Sequence, residues 1–181
     1  MTDVLPDGKR LREVFSRERI RERVLGLARE ISQAFAGEPY RAVCVLNGAF
    51  LFFADLVREL DSSLRVDFVQ LSSYGDATQS SGTVRLLKDI DFPAAGANIL
   101  LVEDVVDSGR SLDWLLREMR RRGAARVAAC ALVDKQERRE VDVEVDFIGF
   151  RLEQGFLVGY GMDLAGGFRN LPAIYEVVDA L

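Results

Sequence analysis

Apolar residues recur at Ile20, Val24, Leu27 and Ile31 with charges between them, the spacing of one helix face. The pattern predicts a helix over residues 16–36, with Ser16 placed to cap its start and Gly37 its end. Next, RAVCVL (41–46) is a continuous apolar run that suits a buried strand, followed by Asn47-Gly48 and a second helix over residues 49–60. RVDFVQL (65–71) and TVRLLKD (83–89) read as strands. The segment between them, residues 72–82, is small and polar and reads as a mobile arm. ANILLV (97–102) predicts a strand, residues 112–122 a helix stopped by Gly123, and RVAACALV (126–133) another buried strand. Strand, helix and strand in this order make a parallel βαβ unit. The expectation is therefore an α/β fold with a mostly parallel central sheet flanked by helices.

After Asp134 the pattern changes to short apolar pieces at 146–150, 156–160 and 173–178, which read as a small subdomain over the sheet edge. One domain spanning residues 1–181 is expected, its core over about 14–134 and a hood mainly over 135–181.

Composition removes several chemistries. With no histidine in the sequence, acid–base work falls to carboxylates, Lys, Tyr or Cys. Cys44 and Cys130 lie inside apolar runs, which fits buried free thiols in a reducing compartment such as the cytoplasm. The charged N-terminus lacks an apolar signal core, and no apolar run approaches a membrane span, so neither export nor a membrane partner is expected. With 24 Lys+Arg against 29 Asp+Glu, the net charge of -5 disfavours nucleic acid as a partner. The basic run at residues 117–122 reads as a solvated helix face.

The strongest chemical signal is ILLVEDVVDSGRS (99–111). Its acids sit at the carboxyl end of an expected parallel strand, the end at which open α/β sheets bind ligands. Residues 107–111 then form a short loop into a helix. Free N–H groups, Gly109's permissive backbone and the Ser108 and Ser111 hydroxyls could cradle one phosphate. The adjacent carboxylates Glu103 and Asp104 suit ribose hydroxyls, directly or through a magnesium shell. This string alone points to a phosphorylated ribose and leaves the rest of the substrate open.

On this string the sequence resembles the type I phosphoribosyltransferases. VLNGAFLFFADL (45–56), LSSYG (71–75), VDK (133–135), FLVGYGMD (156–163) and FRNLP (168–172) extend the resemblance to the hypoxanthine(-guanine) phosphoribosyltransferases, over roughly residues 14–178. The resemblance implies magnesium-dependent transfer of 5-phosphoribosyl from phosphoribosyl pyrophosphate (PRPP) to a 6-oxopurine, releasing pyrophosphate. It also implies site residues. Asn47, Gly48, Glu103, Asp104, Asp107, Ser108, Gly109, Arg110, Ser111 and Arg169 would meet PRPP, with Arg169 at the pyrophosphate. Asp107 is the carboxylate implied to assist proton movement at purine N7. Val105, Lys135, Phe156, Leu157 and Asp163 would form the purine pocket, where Lys135 donates to O6 and Phe156 stacks on the base. Glu103, Asp104 and Asp163 would serve the metal, and Ser73-Tyr74 would mark a lid loop. A homodimer or homotetramer is implied.

Departures from the resemblance matter. Asn47 stands where relatives commonly carry Lys or Arg, before Gly48, in a segment whose peptide the family holds cis at Asn47-Gly48. Leu164 replaces a usual aromatic, and Gly166-Gly167 imply a looser turn before Arg169. Two other functions remain open on the same fold: an RNA-binding regulator of pyrimidine genes, and a sibling transferase for xanthine.

Overall fold

The computed structural model describes residues 8–73 and 84–179. Its elements are β1 (Lys9–Phe15), α1 (Arg17–Phe35), β2 (Arg41–Leu46), α2 (Phe50–Arg58), β3 (Arg65–Ser73), β4 (Val84–Lys88), β5 (Asn98–Val106), α3 (Arg110–Arg121), β6 (Arg126–Lys135), β7 (Phe147–Leu152), β8 (Leu157–Val158) and β9 (Ile174–Asp179). The helix expected from residue 16 begins as anticipated, with the Ser16 side chain accepting from the Arg19 N–H. At the other end Ala36, rather than Gly37 alone, enters the left-handed region, with φ of 42°.

Six strands form the main sheet in the order β4-β3-β2-β5-β6-β7. Neighbours are parallel except the edge strand β4, which runs antiparallel to β3. Side chains of β5 alternate between two cores. Leu100 and Val102 pack with α1 and α2 residues such as Leu27 and Phe52, while Ile99 and Leu101 pack with Leu115 and Met119 of α3. A strand covered on both faces must be apolar at every position, which is why β2, β5 and β6 read as unbroken runs. The chain visits β3 on one side of β2 and β5 on the other. The crevice at the carboxyl ends of β2 and β5 is thus the switch point of the sheet.

Both cysteines are free and buried. Cys44 on β2 and Cys130 on β6 flank Val102 in one register row, two strand spacings (roughly 10 Å) apart, too far to bridge. Burial pushes the Cys44 thiol up to about 12 and raises Cys130 as well. Among the described residues no helix is long and apolar enough to cross a membrane.

A second, three-stranded antiparallel sheet, β1-β9-β8, caps the carboxyl end of the first. Its composition corrects the sequence expectation in two places. The piece expected at 146–150 in the small subdomain is β7, the parallel edge strand beside β6. The small sheet instead recruits β1, whose charges at Lys9, Arg10, Arg12 and Glu13 leave no apolar run to mark it. Phe15 at the end of β1 stacks on Phe150 of β7 with ring centroids 3.9 Å apart, and Arg19 lies over both rings. That aromatic contact ties the small sheet to the large one.

β7 can lie close to β6 because Gly149 has no side chain: a Cβ there would stand 2.3 Å from the Leu132 carbonyl oxygen. Gly149→Ala is expected to lower stability by about 1–3 kcal/mol, as overpacking does elsewhere. Urea denaturation checks this, and an unchanged midpoint would show that the edge strand is free to shift.

Candidate active site

A cavity of about 850 Å³ opens at the switch point. Its floor comes from the ends of the central strands. The peptide between Leu46 and Asn47 is cis, one bond before the expected Asn47-Gly48. Gly48 then passes so close to β5 that a Cβ on it would sit 1.7 Å from Asp104 Oδ2. No residue other than glycine fits there, and the main chain after β2 lies directly against that carboxylate.

β5 continues four residues beyond the expected end at Val102, so Glu103 and Asp104 belong to the strand rather than to a turn. The reason is pairing: Glu103, Val105 and Val106 remain in register with Ala131, Val133 and Asp134 of β6. Strand geometry turns consecutive side chains apart. Asp104 lines the large cavity, and Glu103 lines a smaller pocket of about 110 Å³ with Ser108, Gly109 and Ser111. Burial pushes the Asp104 carboxyl up to about 6. Backbone hydrogen bonds and Arg169 oppose that rise, and Asp163 adds to it. Burial, reinforced by Asp104, raises Glu103 well above the carboxylate range, and its enclosed Oε2 has no hydrogen-bond partner.

The small pocket lies at the start of α3. Gly109, with φ of 83°, is the N-cap, and no side chain caps the helix, so its first N–H groups are available to an anion. The loop is held from behind by Glu140 and Val141, whose N–H groups donate to the Ser108 carbonyl at 3.0 and 3.1 Å. The Arg110 side chain pairs with Glu140 on the surface. Its backbone N–H, 3.4 Å from Ser108 Oγ, is what it presents to the loop.

On the opposite wall Lys135 ends β6, almost fully buried, with Nζ 3.4 Å from Asp107 Oδ1. Arg139 sets this pair. Its Nη2 donates to the Lys135 carbonyl at 2.9 Å, to the Val106 carbonyl at 3.3 Å and to the buried Asp134 carboxylate. One guanidinium therefore staples the residue before Asp107 to the main chain of Lys135. Sequence reading missed this clamp, although a buried carboxylate next to a lysine at a strand end is a signal that some cation must neutralise it.

The roof comes from the small sheet and the loop after β8. Phe156 projects half-exposed, at 51%, beside the buried Leu157. Gly161, with φ of 105°, packs on the β2–α2 loop: a Cβ there would lie 2.0 Å from the Gly48 carbonyl oxygen. Arg169 donates to the Gly161 carbonyl at 2.6 Å and pairs with Asp163 at 2.6 Å. The glycines at 166 and 167, expected to loosen this segment, instead close a tight turn. Leu164 and Gly167 exchange hydrogen bonds across Ala165 and Gly166, both at positive φ, and the Gly166 N–H donates to Asp163 Oδ2.

The structure thus brings Asn47, Gly48, Asp104, Val105, Asp107, Lys135, Phe156, Leu157, Asp163 and Arg169 to one cavity, with Glu103 and the 108–111 loop adjoining it. Ser73 is the last residue of β3, and Tyr74 with the rest of the expected lid lies outside the described residues. No group of three metal-ligating side chains gathers among the described residues. Asp104 and Asp163, hard oxygen donors on one cavity, fit a cation such as magnesium that keeps water and substrate oxygens as most of its ligands.

The pattern of the phosphoribosyl transferase domain matches residues 11–164. A hypoxanthine-guanine phosphoribosyltransferase of Aquifex aeolicus is 42% identical over 173 residues, covering 95% of this chain and 97% of its own. A hypoxanthine phosphoribosyltransferase of Escherichia coli is 41% identical, covering 88% and 90%. The crystal structure of a hypoxanthine-guanine phosphoribosyltransferase from Bacillus anthracis superposes with a TM-score of 0.87 at 41% identity, over 92% of this chain and 98% of that one.

Removing Arg139 would strand the Asp134 carboxylate without its buried cation. Arg139→Leu is expected to cost about 3–5 kcal/mol, read by urea denaturation. A loss below about 1 kcal/mol would show that water or Gln136 satisfies Asp134 instead.

Proposed function

The chain belongs to the phosphoribosyltransferase family, among the hypoxanthine(-guanine) phosphoribosyltransferases, and we propose that it salvages purines by transferring 5-phosphoribosyl from PRPP to N9 of hypoxanthine, and of guanine. The observation that carries this reading is the Lys135–Asp107 pair, a buried ammonium and a carboxylate 3.4 Å apart at the rim of the acidic strand. The ammonium is a donor suited to the O6 of a 6-oxopurine. Against adenine it would oppose an amino group, donor to donor.

In this reading Phe156 stacks on the base and the Leu157 main chain meets its edge. N9 attacks C1′ of the ribose as the bond from C1′ to the pyrophosphate oxygen breaks, and the electron pair leaves with pyrophosphate. The N7 proton of the purine passes to Asp107. The 5-phosphate sits in the 108–111 loop on the N–H groups of α3, with the Ser108 and Ser111 hydroxyls and Gly109 around it. Arg169 releases Asp163 to meet pyrophosphate, and the main chain at Asn47-Gly48 presents its N–H groups to the same ion. Because Asn47 carries no charge, that side of the site relies on backbone dipoles. Asp104 and Asp163 would hold magnesium, which would supply neutralisation of the leaving pyrophosphate, while Glu103 faces the smaller pocket beside the 108–111 loop. Closure of the lid at Ser73-Tyr74 keeps water from the activated ribose.

The basic run on α3 supports an enzyme over an RNA-binding regulator, since Arg117 pairs with Asp113, and Arg121 and Arg122 with Glu118. The two buried thiols suit the cytoplasm. Exposed Val66 and Phe68 on β3 support assembly into a homodimer or homotetramer.

Nucleotide formation from PRPP and magnesium, measured with hypoxanthine, guanine, xanthine, adenine and uracil, tests the assignment. Hypoxanthine is expected to react and adenine and uracil to fail; uracil turnover would overturn the purine reading. Asp107→Ala should keep PRPP binding and lose roughly 10²–10⁴ in kcat; full turnover would remove Asp107 from the mechanism. Lys135→Ala should weaken 6-oxopurine use, and an unaltered preference over adenine would exclude its role at O6.

A further inference from the structure

The roof loop is bolted to α2 by one side chain. Gly159 and Met162 exchange main-chain hydrogen bonds at 3.0 and 3.1 Å, closing a tight turn with Tyr160 and Gly161 at its centre. Tyr160 holds φ of 48° there, a left-handed conformation that residues with a Cβ rarely adopt. Its ring is buried in the core shared with α1 and α2, and its hydroxyl donates to Asp55 Oδ2 at 2.6 Å. Burial, together with the Asp55 carboxylate, raises the phenol above its ordinary range, so it remains a donor. Tyr160 and Asp55 line a separate groove of about 420 Å³, and neither lines the large cavity. Yet both ends of their bond lead to the residues assigned to pyrophosphate. On one side the Gly161 N–H donates to the Arg169 carbonyl at 2.9 Å, and Arg169 Nη1 donates back to the Gly161 carbonyl at 2.6 Å. On the other, α2 carries Asn47-Gly48 at its head, where the Phe50 N–H donates to the Asn47 carbonyl at 3.3 Å.

We propose that Tyr160 is a positioning residue for PRPP: its bond to Asp55 aligns Arg169 with the Asn47-Gly48 main chain, so that both meet pyrophosphate together. This rests on the assignment of Arg169 and Asn47-Gly48 to that group. Asn47 brings no charge, so backbone N–H groups and one guanidinium must converge on the same anion, and such bonds weaken steeply when misaligned. The packing of Gly161 on the Gly48 carbonyl is non-directional, whereas a hydroxyl donating to a carboxylate is directional and charge-assisted. The base wall has its own anchor. The Phe156 carbonyl accepts from the Val177 N–H at 2.9 Å, and Leu157 and Val158 pair with β9. Loss of the Tyr160 bond is therefore felt by PRPP and not by the purine.

The test compares the KM values of the two substrates, which a loss of stability alone would not separate. kcat and KM for PRPP and for hypoxanthine are measured with magnesium in the full-length enzyme and in Tyr160→Phe, Asp55→Ala, Asp55→Asn and Arg169→Ala. Tyr160→Phe keeps the ring and removes only the hydroxyl. It is expected to raise KM for PRPP about fivefold, as loss of a charge-assisted bond does, and to leave KM for hypoxanthine unaltered. Asp55→Ala should do the same, and combining the two should be no worse than either, since both remove one bond. Asp55→Asn keeps an acceptor for the phenol and should hold KM for PRPP at the parent value. If Asp55→Asn is as impaired as Asp55→Ala, the effect belongs to the Asp55–Arg58 ion pair and the role of Tyr160 falls. A parallel rise in both KM values marks general loosening and also overturns it. An unaltered KM for PRPP in Tyr160→Phe and Asp55→Ala, with Arg169→Ala impaired, overturns the role of Tyr160 and leaves the pyrophosphate assignment standing. If Arg169→Ala leaves KM for PRPP unaltered, that assignment is itself misplaced and Tyr160 falls with it.

Discussion

Everything at the site depends on the burial of β5 from both faces. Helices on either side force its first half to be apolar at every position, and pairing with β2 and β6 leaves it no freedom to twist away. The strand then continues past the helices' cover while β6 still holds its register, and it is there that the acids stand. Carboxylates in that position cannot relax toward water as loop residues would. Their raised affinity for protons follows from that confinement, and it makes the site receptive to cations.

The same rigidity explains the division of labour around the cavity. In the proposed reading, groups handling the phosphorylated sugar come from strand ends and a helix start, where main-chain N–H groups are fixed and numerous. In the same reading, groups handling the base come from the end of β6 and from the segment at β8. Arg139 links the two by bonding main chain next to Asp107 and at Lys135. The acid and the ammonium are thereby spaced by a third residue rather than by their own attraction alone.

Much of this was legible in the amino-acid order. The runs at 41–46, 97–102 and 126–133 announced strands covered on both sides, and the 103–111 string announced acids at a strand end followed by a helix start. What escaped notice depends on contacts distant along the chain. β1 carries charges at Lys9, Arg10, Arg12 and Glu13 and becomes a strand only because β9 lies beside it. β7 is short and interrupted by Gly149, features that suit an edge strand and an isolated hairpin equally well. The continuation of β5 through Val106 depended on β6 supplying partners, which no local pattern records. Tyr160 ended an apolar piece of the sequence, and only the turn at 159–162 aims its hydroxyl at Asp55.

The meeting of Gly48 and Gly161 has a wider consequence. Two loops from different sheets touch there through bare backbone, with the Asp104 carboxylate pressed on the other side of Gly48. The two loops are stacked with no side chain between them, so the thickness of a peptide group gauges the gap that separates them. A spacing made of main chain cannot be retuned by substituting one residue for a slightly larger one. Any change in the shape of the cavity must therefore come from its walls, while the spacing of these two loops stays constant.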